Sequence, residues 1–105
     1  MSRDKAGYEK LNMAKIRRES IRWLIISALD NLRPNEAHEL MLLPIVKTIF
    51  NDVSNTELRR EVDYLQKRRV VNIQKSSHGW IIELSALGID IFEYTVSCRA
   101  GIARP

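Results

Sequence analysis

Apolar residues recur with a helical period in the first third of the chain. Between Ile21 and Leu32 successive members are separated by 3, 1, 3, 1 and 3 positions, which is one stripe of a 3.6-residue period. The stripe consists of Ile21, Leu24, Ile25, Ala28, Leu29 and Leu32. Pro34 predicts the end of this helix, because the residue before a proline is pushed out of the helical region. The pattern predicts a helix over 14–32, preceded by a polar, mobile arm at 1–12.

The next segment, 35–43, has a less regular pattern of apolar residues. The start of the second helix is therefore predicted from the position of Pro44. A proline disrupts the interior of a helix but suits its first position. This predicts a second helix over 43–51. The preceding residues, His38 to Met41, are then predicted to form a short strand.

A third helix is indicated by a capping pattern, Ser54-Asn-Thr-Glu57. In such a box the Ser54 hydroxyl accepts from the amide of Glu57, and the Glu57 carboxylate reaches back to the amide of Ser54. Apolar residues then follow at helical spacing, namely Leu58, Val62 and Leu65. The pattern predicts a helix over 54–68.

Alternating apolar positions follow this helix and predict a two-stranded hairpin over 70–84. Its turn is Ser76-Ser-His-Gly79, where Gly79 can adopt a positive φ. Ser85 is placed to cap a last helix over 85–95. The tail at 98–105 contains a glycine and a proline and is expected to be irregular.

The composition is that of one globular domain. The 105 residues are 45% hydrophobic and 29% charged, which suffices for a single core without disulfide or metal. Cys98 is the only cysteine, so no internal disulfide forms and a reducing compartment is favoured. Together with His38 and His78 it does not make a standard zinc site. No apolar run approaches the ~20 residues of a membrane span, and residues 1–15 lack a secretory pattern. A cytoplasmic location is expected, with no membrane partner, cofactor or small-molecule ligand.

Catalysis is not indicated. The four glycines are scattered, so no phosphate-binding loop is present, and no nucleophile stands beside a base. The net charge of +4 favours an acidic partner or nucleic acid, although it is modest for this length. A binding function is therefore expected, and the arrangement of charge decides which one.

The order of elements is that of a winged helix-turn-helix domain with an added C-terminal helix, in the α+β class and mainly helical. The chain resembles the MarR-like and ArsR-like winged-helix proteins over residues 20–95. The resemblance rests on Val53-Ser-Asn-Thr-Glu-Leu58, Val62-Asp-Tyr-Leu65, Arg69-Val-Val71 and the strand from Trp80 to Leu84. Arg69 departs from it, since these families usually place a glycine there. The division expected is an arm at 1–12, a winged-helix domain at 13–97 and a tail at 98–105.

A closer resemblance is to small winged-helix proteins of Mu-like prophages. Their pattern joins the same core to a terminal Gly-hydrophobic-x-Arg-Pro, which here is Gly101-Ile-Ala-Arg-Pro105. That group has no assigned activity to carry over, so the resemblance bears on fold and origin alone.

Double-stranded DNA is the partner that this fold predicts. The second helix of a helix-turn-helix enters the major groove, and helix N-termini and hydroxyls suit phosphate. With the apolar stripe of 54–68 turned inward, that helix and the wing at 75–79 supply the contacts. The expected DNA-binding residues are Ser54, Asn55, Thr56, Arg59, Arg60, Asp63, Lys67, Arg68, Lys75 and His78. The function predicted is transcriptional regulation in a phage or prophage.

Two alternatives stay open. The positive charge of the predicted helix over 54–68 is reduced by three acidic residues, Glu57, Glu61 and Asp63. The same fold can therefore instead serve as a protein-interaction module of a phage assembly without DNA binding. A homodimer is also expected, because the first and last helices carry surplus apolar residues. The expected interface consists of Ile16, Trp23, Ile26, Ile89 and Val96. Packing of these residues against one another within one chain is the other interpretation.

Overall fold

A computed structural model describes the backbone of residues 2–105 and the side chains of residues 12–105. Within this range the chain is an α+β fold of four helices and one three-stranded antiparallel sheet, which confirms the predicted class. The elements in chain order are α1 (Ser2–Leu32), β1 (Ala37–His38), α2 (Glu39–Lys47), α3 (Asn55–Lys67), β2 (Val71–Ser76), β3 (Gly79–Leu84) and α4 (Ala86–Phe92).

The elements with local sequence signals form where they are predicted. Ser54 is the N-cap of α3, and its hydroxyl accepts from the amide of Glu57 at 3.1 Å. Ser85 caps α4 in the same way, accepting from the amide of Gly88. The hairpin pairs β2 with β3, with Ile73 opposite Ile82. The second half of the predicted capping box differs, since the Glu57 carboxylate accepts from Arg17 instead.

Several predicted boundaries differ from the structure. The first helix begins at Ser2 rather than near residue 14, because the polar residues ahead of the apolar stripe are mostly good helix formers. The short strand lies at Ala37–His38 rather than 38–41, and it pairs with β3. The last helix ends at Phe92 rather than 95, since Tyr94 adopts a left-handed φ of 62°. Met1 lies outside the described residues, and the division into arm, domain and tail stays a prediction.

The largest correction concerns α2, which spans Glu39–Lys47 rather than 43–51 and holds Pro44 in its interior. His38 sets this start, because its Nδ1 accepts from the amide of Leu40 at 3.1 Å. Pro44 removes one donor to the carbonyl of Leu40. Leu40 is exposed, so water can replace that donor.

One core joins the helices to the sheet, and α1 lies at its centre, packed against α2, α3, α4 and β3. Its fully buried large side chains include Ile21, Ile25, Ile26, Leu42, Leu58, Leu65, Ile82 and Ile91. The irregular tail joins this core through Ile102, which is also buried. The tail backbone is tied down as well, since the amide of Ala103 donates to the carbonyl of Glu19.

Helix α3 ends in a left-handed turn without a glycine. Arg69 has a φ of 65°. The amide of Val70 donates to the carbonyl of Leu65, and the amide of Arg69 donates to that of Gln66, both at 2.9 Å. This is the Schellman pattern, and the buried side chains of Leu65 and Val70 complete it.

Replacing Arg69 with glycine is expected to raise the free energy of unfolding by about 0.5–1 kcal/mol, because a side chain at positive φ is strained. Urea denaturation measures the change. Lys67→Gly is the control, since Lys67 lies in the last turn of α3 and glycine there should lower stability. An Arg69→Gly variant no more stable than the wild type would contradict the strain.

Candidate nucleic-acid interface

Helix α3 presents a polar outer face opposite its buried stripe. Leu58, Glu61, Val62 and Leu65 are buried. The outer face carries residues spaced by four, three and four positions, which one side of a helix brings together. They are Thr56, Arg60, Asp63 and Lys67, and all but the half-buried Asp63 are exposed. The four residues were among those predicted to form the interface, and the structure places them side by side.

Each carboxylate of α3 is paired with a base from another element. Glu57 accepts from Nε and Nη2 of Arg17, at 2.9 and 3.0 Å. Glu61 accepts from Nε of Arg22 at 2.8 Å.

The third carboxylate, that of Asp63, lies 3.1 Å from Nζ of Lys75 on β2. Among the described residues, Arg60 and Lys67 have no carboxylate within salt-bridge distance. The acidic residues of α3 therefore do not neutralise its outer face, which is positively charged.

Two predicted contact residues are engaged inside the protein instead. Arg59 donates through Nε and Nη2 to the two carboxylate oxygens of Glu39, both at 2.8 Å. Its guanidinium also lies over the ring of Trp80, 4.7 Å from the centroid. Asn55 donates through Nδ2 to Glu39 at 2.8 Å. These donors were predicted to contact DNA, and in the structure they donate to a buried carboxylate.

Glu39, at the start of α2, is the centre of this network and was missed by sequence reasoning. Its side chain is 3% exposed, and it also accepts from the backbone amide of Trp80 on β3. The hydrogen bonds from Arg59, and then those from Asn55 and Trp80, hold the pKa of Glu39 at about 2, against the opposing effect of burial. One carboxylate thus joins α2, α3 and the hairpin. The only signal in the sequence is a lone acid directly before an apolar run.

The hairpin turn is held in place by β1 and by α3. His38 contacts the carbonyl of His78 through Nε2 at 2.8 Å. Lys75 lies over the ring of Trp80 at 4.3 Å in addition to its pair with Asp63. Gly79 has a φ of 115° and packs so closely on the His38 ring that a Cβ would overlap it. Lys75 and His78, both predicted contacts, are exposed on this turn.

The remaining predicted contacts lie at the two ends of α3. Ser54 is exposed, but its hydroxyl is occupied as the N-cap. Arg68 is half-buried at the other end, with its guanidinium 3.4 Å from the centroid of the Tyr64 ring. Arg68 is therefore fixed in position, whereas Lys67 beside it is exposed.

The residues predicted to form a dimer interface lie in different environments. Ile26 is fully buried in the core and offers no surface to a partner. Trp23 is half-buried and stacks on Phe92 of α4, with 5.6 Å between ring centroids. Ile16 and Val96 are exposed, and Ile89 is half-buried. Trp23 of α1 thus packs against α4 within the chain.

A larger apolar surface was not predicted. Helix α2 is apolar on all sides, and its outer face, continued past the helix end, exposes Leu40, Met41, Ile45 and Ile49. Between α1 and the end of α2 lies an open apolar groove of about 560 Å³, lined by Met13, Ala14, Ile16, Arg17 and Phe50. Such surfaces usually mark contacts with other molecules.

Other kinds of site find no support in the described residues. Within them, no helix has both the length and the apolar content that a bilayer span requires. His, Cys, Asp and Glu side chains in that part of the chain form no group of three suited to a metal ion. In comparisons with protein-family models, curated proteins and solved structures, nothing matches this chain.

Proposed function

We propose that this protein binds double-stranded DNA as a winged-helix protein, and that it regulates transcription in a phage or prophage from the cytoplasm. In this proposal α3 is the recognition helix and the turn at 75–79 is the wing. The element order supports it, since two consecutive helices are followed directly by a hairpin that packs against the second of them.

One observation carries the proposal. All three carboxylates of α3 are paired with bases on α1 or β2, while Arg60 and Lys67 on the outer face have no acidic partner among the described residues. The guanidinium of Arg60 suits the edge of a guanine, and Thr56 and Lys67 suit phosphates. Lys75 and His78 reach the adjacent backbone from the wing. Arg59 and Asn55 act by holding Glu39, and so position the helix rather than read bases.

Replacing Arg60 with alanine is expected to weaken duplex binding by about 1–3 kcal/mol, because a base contact is lost. Lys67→Ala should lower the salt slope of log K by about 0.9, since one phosphate contact is lost. Fluorescence anisotropy measures the Arg60→Ala loss with a duplex that the wild type selects from a random pool, and the Lys67→Ala slope with the same duplex at several salt concentrations.

Arg33→Ala is the matched control for these variants. It removes the same charge just after the end of α1, where the salt bridges of Arg33 to described residues are those with Asp30 and Glu93. No duplex binding at low salt by the folded wild type would overturn the proposal.

A protein-interaction module of a phage assembly is the second candidate function. The observation that favours it is the exposed apolar face of α2, which has no role in the proposed contacts with DNA. Two results would favour this candidate. The folded wild type would not bind duplex DNA, and Met41→Asp or Ile45→Asp would abolish self-association or binding to a protein partner.

A homodimer accompanies the DNA-binding proposal. A two-fold dimer would present two recognition helices to successive turns of the duplex, about 34 Å apart. Of the predicted interface, Ile16, Ile89 and Val96 retain surface for it. Light scattering at high micromolar concentration is expected to give twice the 12.2 kDa chain mass, and Ile16→Asp should reduce it. A strict monomer would contradict the dimer.

A further inference from the structure

A second basic surface lies between α1 and α3, beside the irregular segment at 100–101. Two adjoining cavities, each about 390 Å³, share four lining residues, Arg18, Arg22, Tyr64 and Arg68. Because they share these walls, the cavities form one groove. None of its lining residues is a large aliphatic side chain.

The groove is continuous with the outer face of α3. Its first cavity is also lined by Arg60 and Lys67, the two cations of the outer face of α3 that form no salt bridge with a described residue. Its second cavity extends along α1 to Lys15. Lys15 and Arg18 are exposed, and neither forms a salt bridge with a described residue. A band of positive charge therefore runs from the recognition face onto α1.

The acids of the groove leave at least half of this positive charge uncompensated. Glu61 is buried at its wall and paired with Arg22, although its Oε2 has no hydrogen-bond partner. Asp63 is paired with Lys75, outside the groove. Glu19 is half-buried at the far cavity and its carboxylate forms no salt bridge among the described residues. Three acids thus face six bases.

The floor of the groove is rigid. The guanidinium carbons of Arg22 and Arg68 lie 3.3 and 3.4 Å from the centroid of the same Tyr64 ring, so they must stack on its two opposite faces. Arg22 also donates through Nη1 to the carbonyl of Gly101 at 2.8 Å. Stacked guanidinium groups keep their charge and lose little further freedom when an anion arrives.

We propose that this groove binds the backbone phosphates of the duplex that α3 reads, which extends the interface onto α1 through Lys15 and Arg18. This inference rests on the proposed function. A polyanion fits the observations better than a protein partner does, because the groove has no aliphatic anchor and both faces of its one aromatic ring, Tyr64, are covered by the guanidinium groups of Arg22 and Arg68. Phosphate contacts need only positioned cations.

The test is a salt series with a random duplex of about 25 base pairs, followed by fluorescence anisotropy. The double variant Lys15→Ala/Arg18→Ala is expected to lower the slope of log K against log salt by about 1.8, and to bind roughly fiftyfold more weakly at about 0.1 M salt. The control Arg33→Ala/Lys47→Ala removes the same charge outside the groove, and its slope should match the wild type. Circular dichroism confirms that each variant is folded.

The outcomes separate the two proposals. Wild-type protein that does not bind the duplex overturns the proposed function, and this inference with it. In a second outcome the wild type binds the duplex and Arg60→Ala weakens that binding, but Lys15→Ala/Arg18→Ala leaves the slope of log K against log salt unchanged. That outcome overturns the groove proposal alone. Poly-glutamate serves as the second probe. If the double variant loses poly-glutamate binding but keeps duplex binding, the groove takes an acidic polypeptide and the inference is wrong.

Discussion

Replacing Glu61 with alanine is expected to lower the free energy of unfolding by about 3–5 kcal/mol, because it leaves a buried guanidinium without its counter-charge. The side chain of Glu61 is 1% exposed and that of Arg22 is 9% exposed, with 2.8 Å between Nε and Oε1. Arg22 further holds the carbonyl of Gly101, so the variant should also loosen the tail. Urea denaturation followed by circular dichroism gives the change.

Two further variants test the physical reason. Arg22→Met/Glu61→Met should recover much of the stability, since an apolar pair of similar volume often replaces a buried ion pair without loss. Asp63→Ala removes an exposed pair with Lys75, which is worth at most about 1 kcal/mol. If Glu61→Ala costs no more than Asp63→Ala, the buried pair is not formed in solution.

Replacing Glu39 with glutamine is expected to remove much of the acid sensitivity of the fold. The pKa of Glu39 is lowered from 4.5 to about 2 in the folded state, chiefly by Arg59. A lowered folded pKa means that the stabilisation is complete above 4.5 and is lost as the pH falls from 4.5 towards 2. At 1.36 kcal/mol per unit, that loss amounts to about 3 kcal/mol in the wild type.

The measurement is the difference in unfolding free energy between wild type and Glu39→Gln across this pH range. The difference is needed because Glu57 also affects how stability depends on pH. The hydrogen bond from Arg17 lowers the pKa of Glu57, and this effect is the same in both proteins. Glu83→Gln is the control, since Glu83 is exposed on β3. Parallel pH profiles for wild type and Glu39→Gln would show that the network does not stabilise the fold.

The parts of the fold that sequence reasoning located are those with local causes. Ser54 and Ser85 cap their helices through amides three residues ahead. The hairpin follows from the alternation of apolar and polar residues along two strands of six residues each. The start of α1 and the position of Pro44 have no such cause. Helix propensity extends α1 beyond its apolar stripe, and the His38 cap places a proline where its local preference is unfavourable.

The candidate site divides in the same way. Arg60 and Lys67 were predicted because α3 is amphipathic, and the helix alone exposes them. The roles of Arg59 and Asn55 depend on Glu39, which lies 20 and 16 residues away in the chain. Such pairings are created by tertiary packing, and no periodicity in the sequence carries them. The tail illustrates this too, since Arg104 donates to the carbonyls of Ile91 and Val96 from an irregular segment.

The attachment of the hairpin to α3 has a consequence for what the proposed interface can select. Glu39 binds the amide of Trp80, Lys75 reaches Asp63, and His38 holds the turn. The hairpin and α3 are therefore expected to move as one body, with little conformational freedom left to lose on association. A two-pronged surface that does not adapt requires a duplex that already has, or readily takes, the matching groove width. Discrimination between DNA sequences would then come partly from their deformability, at base pairs that no side chain touches.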